Sequence, residues 1–326
     1  KQTKADQIAE TTQKIQVIYE KFNESQDIAL YYAMALSNLS IKQTKADQIA
    51  ETTQKIKVMY EKFNEPQDIA LQYARALVNL STKQTKADQI AETTQKIQVI
   101  YEKFNEPQDI ALQYTMALVN LSSKQTKADQ IAETTQKIQV IYEKFNEPQD
   151  IALQYTMALV NLSSKQTKAD QIAETTQKIQ VIYEKFSEPQ DIALYYAMAL
   201  VNLSIKQTKA EEIVETTQKI QVIYKKFEEP EDIALYYTMA LVSLSAKQTK
   251  ADQIAETTQK IQVIYEKFEE PENIALSYAM VLSNLSLEQT NLDELNDTTS
   301  KLKKIALNFE KNEDITLYYA EALAKI

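Results

Sequence analysis

The 326-residue sequence contains no glycine, no cysteine, no histidine and no tryptophan. Without glycine, the backbone cannot form the phosphate-cradling turns of a Walker loop or a GxGxxG nucleotide site. Without histidine or cysteine, the chain has no ordinary general base at neutral pH, no thiolate nucleophile, and no nitrogen or sulfur ligand for zinc or copper. The acidic residues recur at helix-surface spacing, which is typical of solvated carboxylates. We therefore expect no enzyme, no cofactor and no metal site.

Charge and hydropathy further limit the classes of partner that the sequence predicts. The 46 acidic residues outnumber the 36 basic ones, and the resulting net charge of -10 disfavours a phosphate backbone, so no nucleic acid is expected as partner. Apolar runs such as Ile28 to Leu36 are only about nine residues long, whereas a membrane-spanning helix needs ~20. Lys1 is neither an initiator Met nor the start of a signal peptide, which predicts a fragment of a longer protein with a cytoplasmic default location. The usage of Lys, Ile, Gln and Asn is typical of a bacterial, AT-rich genome.

The dominant feature is a tandem repeat of 41 residues without any insertion. Self-similarity at such a period predicts a helical solenoid, in which each unit packs on its neighbours. Repeats 3 and 4 are identical letter for letter, whereas the last repeat diverges and carries extra charge at Lys301, Lys303 and Lys304, as expected of a cap. The sequence thus predicts a single repeat domain over 1–326, with repeats 1 to 8 at 1–41, 42–82, 83–123, 124–164, 165–205, 206–246, 247–287 and 288–326.

Repeat 3 illustrates the first helix of each unit. Thr85 and Asp88 form a Ser/Thr-x-x-Asp/Glu helix start, and apolar or small residues then follow in steps of three and four. This spacing predicts a helix over about Thr85–Phe104, with Glu92 and Lys96 as an i,i+4 pair on its exposed side. The residues on the predicted buried face are Ala87, Ile90, Thr94, Ile97, Tyr101 and Phe104.

The second helix of the unit begins at a proline. The segment Asn105-Glu106-Pro107 interrupts the helical pattern, because proline disfavours helix in the preceding residue but suits the first turn of the next helix. We predict a helix over about Pro107–Ser122. Apolar residues cover most of its circumference, which indicates a helix packed between neighbours. They are Ile110, Ala111, Leu112, Tyr114, Ala117, Leu118, Val119 and Leu121.

Aromatic residues recur at fixed positions of the repeat. All eight Phe residues, from Phe22 to Phe309, occupy the end of the first helix, and a Tyr equivalent to Tyr114 occurs in every unit. Such a regular ladder is typical of a packed core, so we expect these rings to fill the space between helices.

The pattern resembles the tetratricopeptide-repeat (TPR) superfamily when the unit is re-phased to begin with the second helix. The resemblance covers the whole chain. It implies an all-α, right-handed superhelix whose concave groove, lined by the second helices, binds peptides or protein partners. The residues that carry it are Tyr114, Ala117, Leu118 and Leu121, then Ile131, Thr135 and Ile138, and finally Pro148.

One stripe of the second helix is not apolar. Asp109, Gln113, Met116 and Asn120 follow a single helical face, which we expect to be exposed to solvent. Substitutions between repeats gather on and beside this stripe, and they include Tyr, Met and Arg, which contribute large adaptable contact area at interfaces. Drift of an exposed stripe without any ligand is the alternative. The candidate groove residues for a protein or peptide ligand are Tyr31, Met34, Gln72, Arg75, Gln113, Met116, Asn120, Gln154, Met157, Asn161, Tyr195, Met198, Tyr236 and Met239.

The triplet Asn-Leu-Ser matches the acceptor pattern for N-glycosylation. Its copies lie within the predicted second helix near the C-terminal end, and copies of one ancestral triplet count as a single observation. We therefore interpret the match as coincidence. The copies begin at Asn38, Asn79, Asn120, Asn161, Asn202 and Asn284.

Two hypotheses for the function follow. The first is a protein-interaction scaffold that binds a partner in the groove of the solenoid. The alternative is a structural spacer, or a recently duplicated or designed array, that has no dedicated ligand, and the identity of repeats 3 and 4 suits it. Scattered differences such as Arg75, Met59 and Glu228 favour natural duplication. The oligomeric state is open.

Overall fold

The computed structural model describes residues 4–186 and 189–326, so Lys1, the first residue of repeat 1, lies outside the described residues. Across these ranges the chain forms sixteen α-helices, two in each repeat, and no strand. The all-α repeat fold is confirmed. The first helices of the repeats are α1 (Lys4–Lys21), α3 (Ala46–Lys62), α5 (Ala87–Lys103), α7 (Ala128–Lys144), α9 (Ala169–Lys185), α11 (Ala210–Lys226), α13 (Ala251–Lys267) and α15 (Leu292–Asn308). The second helices are α2 (Gln26–Lys42), α4 (Gln67–Lys83), α6 (Gln108–Lys124), α8 (Gln149–Lys165), α10 (Gln190–Lys206), α12 (Glu231–Ser245), α14 (Glu272–Glu288) and α16 (Glu313–Leu323).

The two helices of repeat 3 begin and end within two residues of their predicted bounds. The Thr85 side chain, however, does not cap the first of these helices. The N-cap residue of α5 is Lys86, which has an extended backbone and makes no side-chain capping hydrogen bond. The helix therefore begins one residue too late for the Thr85 hydroxyl to cap it. Asp88 instead lies in the first turn, where a carboxylate interacts favourably with the positive end of the helix dipole.

The turn within repeat 3 passes through two consecutive left-handed residues, although neither is glycine. Asn105 has φ 56° and Glu106 has φ 59°. The Glu106 amide donates to the Tyr101 carbonyl at 2.8 Å, and the Asn105 amide donates to the Glu102 carbonyl at 3.2 Å. These bonds satisfy carbonyl groups that the end of α5 would otherwise leave unpaired.

Proline accompanies this left-handed turn. The same pair of positive φ values precedes Pro66, Pro148, Pro230 and Pro271. Two repeats have no proline at that position, and their turns have no positive φ. There, a side chain caps the second helix: Ser25 Oγ accepts from the Ile28 amide at 3.4 Å, and Asn312 Oδ1 accepts from the Ile315 amide at 3.1 Å. Within residues 4–186 and 189–326, the two helices of a repeat are thus joined by two kinds of turn.

The chain forms two compact units, Lys1–Lys165 and Gln166–Ile326. In the first unit, α4 packs between α2 and α6, and α6 packs between α4 and α8. In the second, α12 and α14 lie likewise between second helices. Each unit thus has a continuous layer of second helices, and first helices such as α5, which contacts α4 and α6, lie over the seams of that layer. The interpretation of 1–326 as one domain capped by 288–326 stays a prediction.

Most of the predicted core is confirmed in repeat 3. Ile90 and Ile97 are fully buried, as are Ile110, Tyr114 and Leu118 to within a few per cent of their surface. Their burial provides the apolar stabilisation of each layer. The predicted exposed pair is also present, since Lys96 Nζ lies 3.0 Å from Glu92 Oε1.

The prediction for the phenylalanines is wrong in part. Phe104 is only half-buried, and Phe22 retains 50% of its exposure. The physical reason is position: Phe104 is the C-cap residue of α5, where the backbone already turns away from the core. Its ring therefore lies at the edge of the helix layer. Half-buried equivalents are Phe63, Phe145, Phe186, Phe227, Phe268 and Phe309.

Candidate interaction surface

The candidate groove residues differ in exposure. The four exposed ones are Tyr31, Met34, Arg75 and Met239. The partly buried ones are Met116, Asn120, Gln154, Met157, Asn161, Tyr195, Met198 and Tyr236. The buried ones are Gln72 and Gln113. The structure thus leaves a discontinuous set of side chains, rather than an open stripe, on the second helices.

The expectation that Gln72 and Gln113 face solvent is wrong. Their exposed fractions are only 7% and 9%, because consecutive second helices pack side by side and bring the same repeat position of neighbours together. In the second unit, Tyr195 and Tyr236 occupy this same position of adjacent repeats. The pKa of Tyr236 is raised by burial first, then by Asp232, and then by the neighbouring Tyr195. Polar residues at this position therefore belong to the interface between repeats.

Asn120 and Asn161 also serve that interface. Asn120 Nδ2 donates to Ser81 Oγ of the preceding repeat, and Asn161 Nδ2 donates to Ser122 Oγ, each at 2.8 Å. Asn79 makes the same bond to Ser40 in the first unit. The Asn and the Ser of the repeated Asn-Leu-Ser triplet are thus the two halves of a hydrogen bond between adjacent repeats.

In several repeats, a lysine at the end of the first helix joins that repeat to the preceding one. Lys103 forms an ion pair with Glu65 of the preceding repeat and lies 5.8 Å from the ring centroid of Tyr60. Both partners are partly exposed, so the ion pair contributes little, and the cation–π contact adds about 0.5–1 kcal/mol. Equivalent ion pairs are Lys62–Glu24, Lys144–Glu106 and Lys267–Glu229.

Sequence reasoning did not find this link, although a signal for it exists. The paired Lys and Glu are 38 residues apart and recur at the repeat period. Repeat 8 departs at both positions at once. Asn308 stands in place of the lysine and still donates to Glu270 Oε2, at 3.0 Å, whereas Lys311 stands in place of the glutamate. We call the ion pairs between these lysines and the glutamates of the preceding repeats the lysine link.

The tyrosines form pairs between the two helices of a repeat. The ring centroids of Tyr101 and Tyr114 are 5.7 Å apart, with the planes tilted by 36°. Tilted aromatic pairs of this kind stabilise beyond the area they bury. Burial raises the pKa of Tyr114 to about 12, with a smaller effect from Glu102. These phenols are therefore neutral core groups rather than acid or base candidates.

Repeat 1 has an open apolar depression on its outer side. The cavity has a volume of about 580 Å³ and includes Ile8, Ile15, Tyr31 and Met34 among its lining residues. Tyr31 retains 64% of its exposure, whereas Gln72 and Gln113 at the same repeat position are buried. The depression thus lies where the other repeats of this unit have a neighbour.

Shallow polar grooves lie between neighbouring first helices. One groove, of about 480 Å³, lies between α13 and α15, and it is lined by carboxylates such as Asp252 and Asp293 together with Leu282. Asp297 in this groove already pairs with Lys301 at 2.8 Å. In residues 4–186 and 189–326, no three Asp or Glu side chains are grouped so as to hold a metal ion. In the same ranges, every helix is too short or too polar to cross a membrane.

No protein-family model matches this sequence, and no curated protein matches it either. One similar solved structure comes from work described as computational design of self-assembling cyclic protein homooligomers. It is 16% identical, with 98% of this chain and 91% of that chain covered and a TM-score of 0.11. The class of protein is therefore defined by its own geometry as a helical-repeat solenoid with 41 residues for every two helices.

Proposed function

We propose that this chain is a structural repeat array, a spacer whose length is set by the number of repeats. A single observation carries the proposal: side chains that could have formed a ligand groove are used by the repeats to bind one another. Gln72 and Gln113 are buried, and Asn120 and Asn161 are hydrogen-bonded to the preceding repeat.

The competing function is a peptide-binding scaffold of the TPR-like kind. Such a scaffold would need a continuous stripe of free side chains along the second helices. Among the exposed candidates, Tyr31 and Met34 lie together in repeat 1. Arg75 in repeat 2 and Met239 in repeat 6 lie apart from them, so no continuous stripe is formed. Interface hot spots cluster, so isolated residues of this kind support peptide binding poorly.

Repetition of the same contacts also supports the spacer. Repeats 3 and 4 have identical sequences, and each makes the same Asn–Ser bond and the same lysine link to the repeat before it. In a repeat protein, each unit contributes its own stability and one interface with its neighbour. Adding or removing such a unit therefore changes the length in whole steps.

The test removes residues 83–123. Because residues 124–164 have the same sequence, the deletion joins repeat 2 to an unchanged copy of repeat 3 and leaves every remaining junction native. The chain has no cysteine, so Lys14→Cys and Lys137→Cys provide two unique, exposed dye sites in the first unit. Energy transfer between the dyes reports the distance across repeats 1 to 4.

We expect the deletion to shorten this distance by about 10 Å, the spacing of one packed helix layer, with unchanged helicity per residue. A distance that stays the same, or a loss of helicity, would contradict the spacer. As a matched control, Arg75→Glu in the full-length chain should leave the distance unchanged. If a peptide that binds the full-length chain no longer binds the Arg75→Glu variant but still binds the deletion variant, peptide binding replaces the spacer as the proposed function.

A further inference from the structure

The groove of about 480 Å³ between α13 and α15 contains a buried hydrogen-bond acceptor without a donor. Gln289 lines this groove and retains only 7% of its exposure. Its Oε1 atom has no hydrogen-bond partner in the part of the chain that the structure describes. Such an atom is costly, because it has given up its bonds to water. An N–H donor that enters the groove would therefore form a bond that the chain itself does not supply.

The equivalent glutamine is satisfied in repeats 2 to 7. Thr52 Oγ1 lies 3.1 Å from Gln43 Oε1 and donates to it. The other five threonines donate in the same way at 3.0 Å, in the pairs Thr93–Gln84, Thr134–Gln125, Thr175–Gln166, Thr216–Gln207 and Thr257–Gln248. Repeat 8 has Thr298 at the threonine position, yet Gln289 Oε1 is unpaired. Repeat 8 thus departs from a hydrogen bond that six consecutive repeats share.

Two substitutions in repeat 8 make the same groove more acidic. Asn291 stands where repeats 1 to 7 have a lysine, and Glu294 stands where all but one of the other repeats have a glutamine. The exception is repeat 6, in which Glu212 pairs with Lys209 at 3.1 Å. Repeat 8 therefore has the additional carboxylate without the lysine that neutralises its counterpart in repeat 6.

The lining of the groove indicates the chemistry of a ligand. Its acidic residues are Asp252, Asp293, Glu294 and Asp297. Lys301 also lines the groove, but it pairs with Asp297 at 2.8 Å, so the lining as a whole is negative. Leu282 and Leu285 add apolar surface. Because no three acidic side chains in residues 4–186 and 189–326 are grouped to hold a metal ion, the geometry favours an organic cation with its own N–H donors.

We propose that this groove binds an aliphatic cation with two or more ammonium groups. One ammonium donates to Gln289 Oε1, the others pair with the carboxylates of the two flanking helices, and the methylene chain contacts Leu282 and Leu285. A free polyamine and adjacent lysine side chains of a peptide share this chemistry. The site does not depend on the spacer function, since a groove between two adjacent repeats can bind a small cation in an array of any length.

The test is calorimetric titration of the full-length chain with spermidine, and with an acetylated trilysine peptide as a second arm. We expect one saturable site for at least one of these probes, and the tighter-binding probe identifies the source of the ammonium groups. Gln289→Met should weaken binding at least about tenfold, because a hydrogen bond to a charged group is lost. Asn291→Lys, at an exposed residue, should weaken it about two- to fivefold and keeps the test decisive if Gln289→Met does not fold.

A matched pair of variants separates this site from general attraction to a chain of net charge -10. Glu294→Gln and Glu212→Gln remove the same charge from the same repeat position. We expect Glu294→Gln to weaken binding about two- to fivefold and Glu212→Gln to leave it unchanged. The proposal is overturned if neither probe saturates a site, if folded Gln289→Met binds as tightly as the wild type, or if the two glutamate variants weaken binding equally.

Discussion

Asn120 Nδ2 donates to Ser81 Oγ at 2.8 Å, and Ser81 Oγ donates in turn to the Val78 carbonyl at 2.7 Å. The hydroxyl is therefore oriented by its own helix and presents its lone pairs to the next repeat. Because Ser81 is buried and Asn120 is half-buried, loss of either side chain leaves its polar partner without this hydrogen bond. This physical requirement is sufficient reason for the Asn-Leu-Ser triplet to recur along the chain.

Repeat 6 offers a way to add this bond. It carries Ser243 in place of the asparagine, and the Ser243 hydroxyl donates to the Met239 carbonyl of its own helix at 3.2 Å. We expect the Ser243→Asn side chain to donate to Ser204 Oγ and to raise the free energy of unfolding by roughly 0.5–1.5 kcal/mol, as measured by urea denaturation. Asn120→Ala should lower it by a similar amount. If Ser243→Asn is no more stable than Ser243→Ala, the expectation is refuted.

Non-glycine residues with a left-handed backbone conformation are a second place where a substitution should stabilise the fold. Glu228 has φ 61°, a conformation that costs a residue with a side chain roughly 1–2 kcal/mol and costs glycine almost nothing. Glu228→Gly should therefore raise the thermal midpoint, measured by circular dichroism. The turn of repeat 1 has no positive φ, so Asn23→Gly is the matched control and should lower the midpoint slightly through its added chain entropy. Equal shifts in both variants would argue against relief of strain.

In the first helix, apolar residues only two positions apart differ completely in burial. Ile97 is fully buried, whereas Val99 retains 55% of its exposure. Ile97→Ala should lower the free energy of unfolding by about 2–5 kcal/mol because it leaves a cavity. Val99→Ala should change it by less than about 0.5 kcal/mol. Urea denaturation of both variants checks the pair, and similar losses in the two would contradict the burial seen in α5.

Alkaline pH should weaken the fold through the tyrosine pairs. Burial raises the pKa of Tyr73 and of Tyr114 to about 12 from an ordinary value of 10.0. The folded state thus keeps protons that the unfolded chain loses, so the stability they contribute is complete below about pH 10 and is lost towards about pH 12. Thermal midpoints followed across this range should fall as tyrosinate absorbance rises. Tyr114→Phe should show a shallower fall, and an identical pH profile for this variant would count against the mechanism.

The sequence was sufficient to predict the helices and most of the core. Hydrophobic spacing within one helix places Ile97 and Tyr114 on buried faces, and both are buried. It could not predict the burial of Gln113, because the register between neighbouring second helices is a property of their packing and not of either helix alone. A glutamine that meets another repeat at the same position is protected from water despite its polarity.

Two further structural features could not be predicted from the sequence of a single repeat, for different reasons. The left-handed turn at Asn105 and Glu106 lacks the glycine that usually signals it, so local composition offers no warning. The contact between Lys103 and Glu65 joins residues far apart in the chain, and neither residue is unusual by itself. Only comparison across repeats, where Asn308 and Lys311 change together, could have indicated that the two positions belong to one interface.

The identical sequences of repeats 3 and 4 also affect how a gene for this chain could change in length. Misaligned recombination between their coding segments would gain or lose 41 codons at once, and the product would contain no boundary that the parent lacks. Each such event would therefore produce a longer or shorter array in which every junction between repeats already occurs in the parent chain.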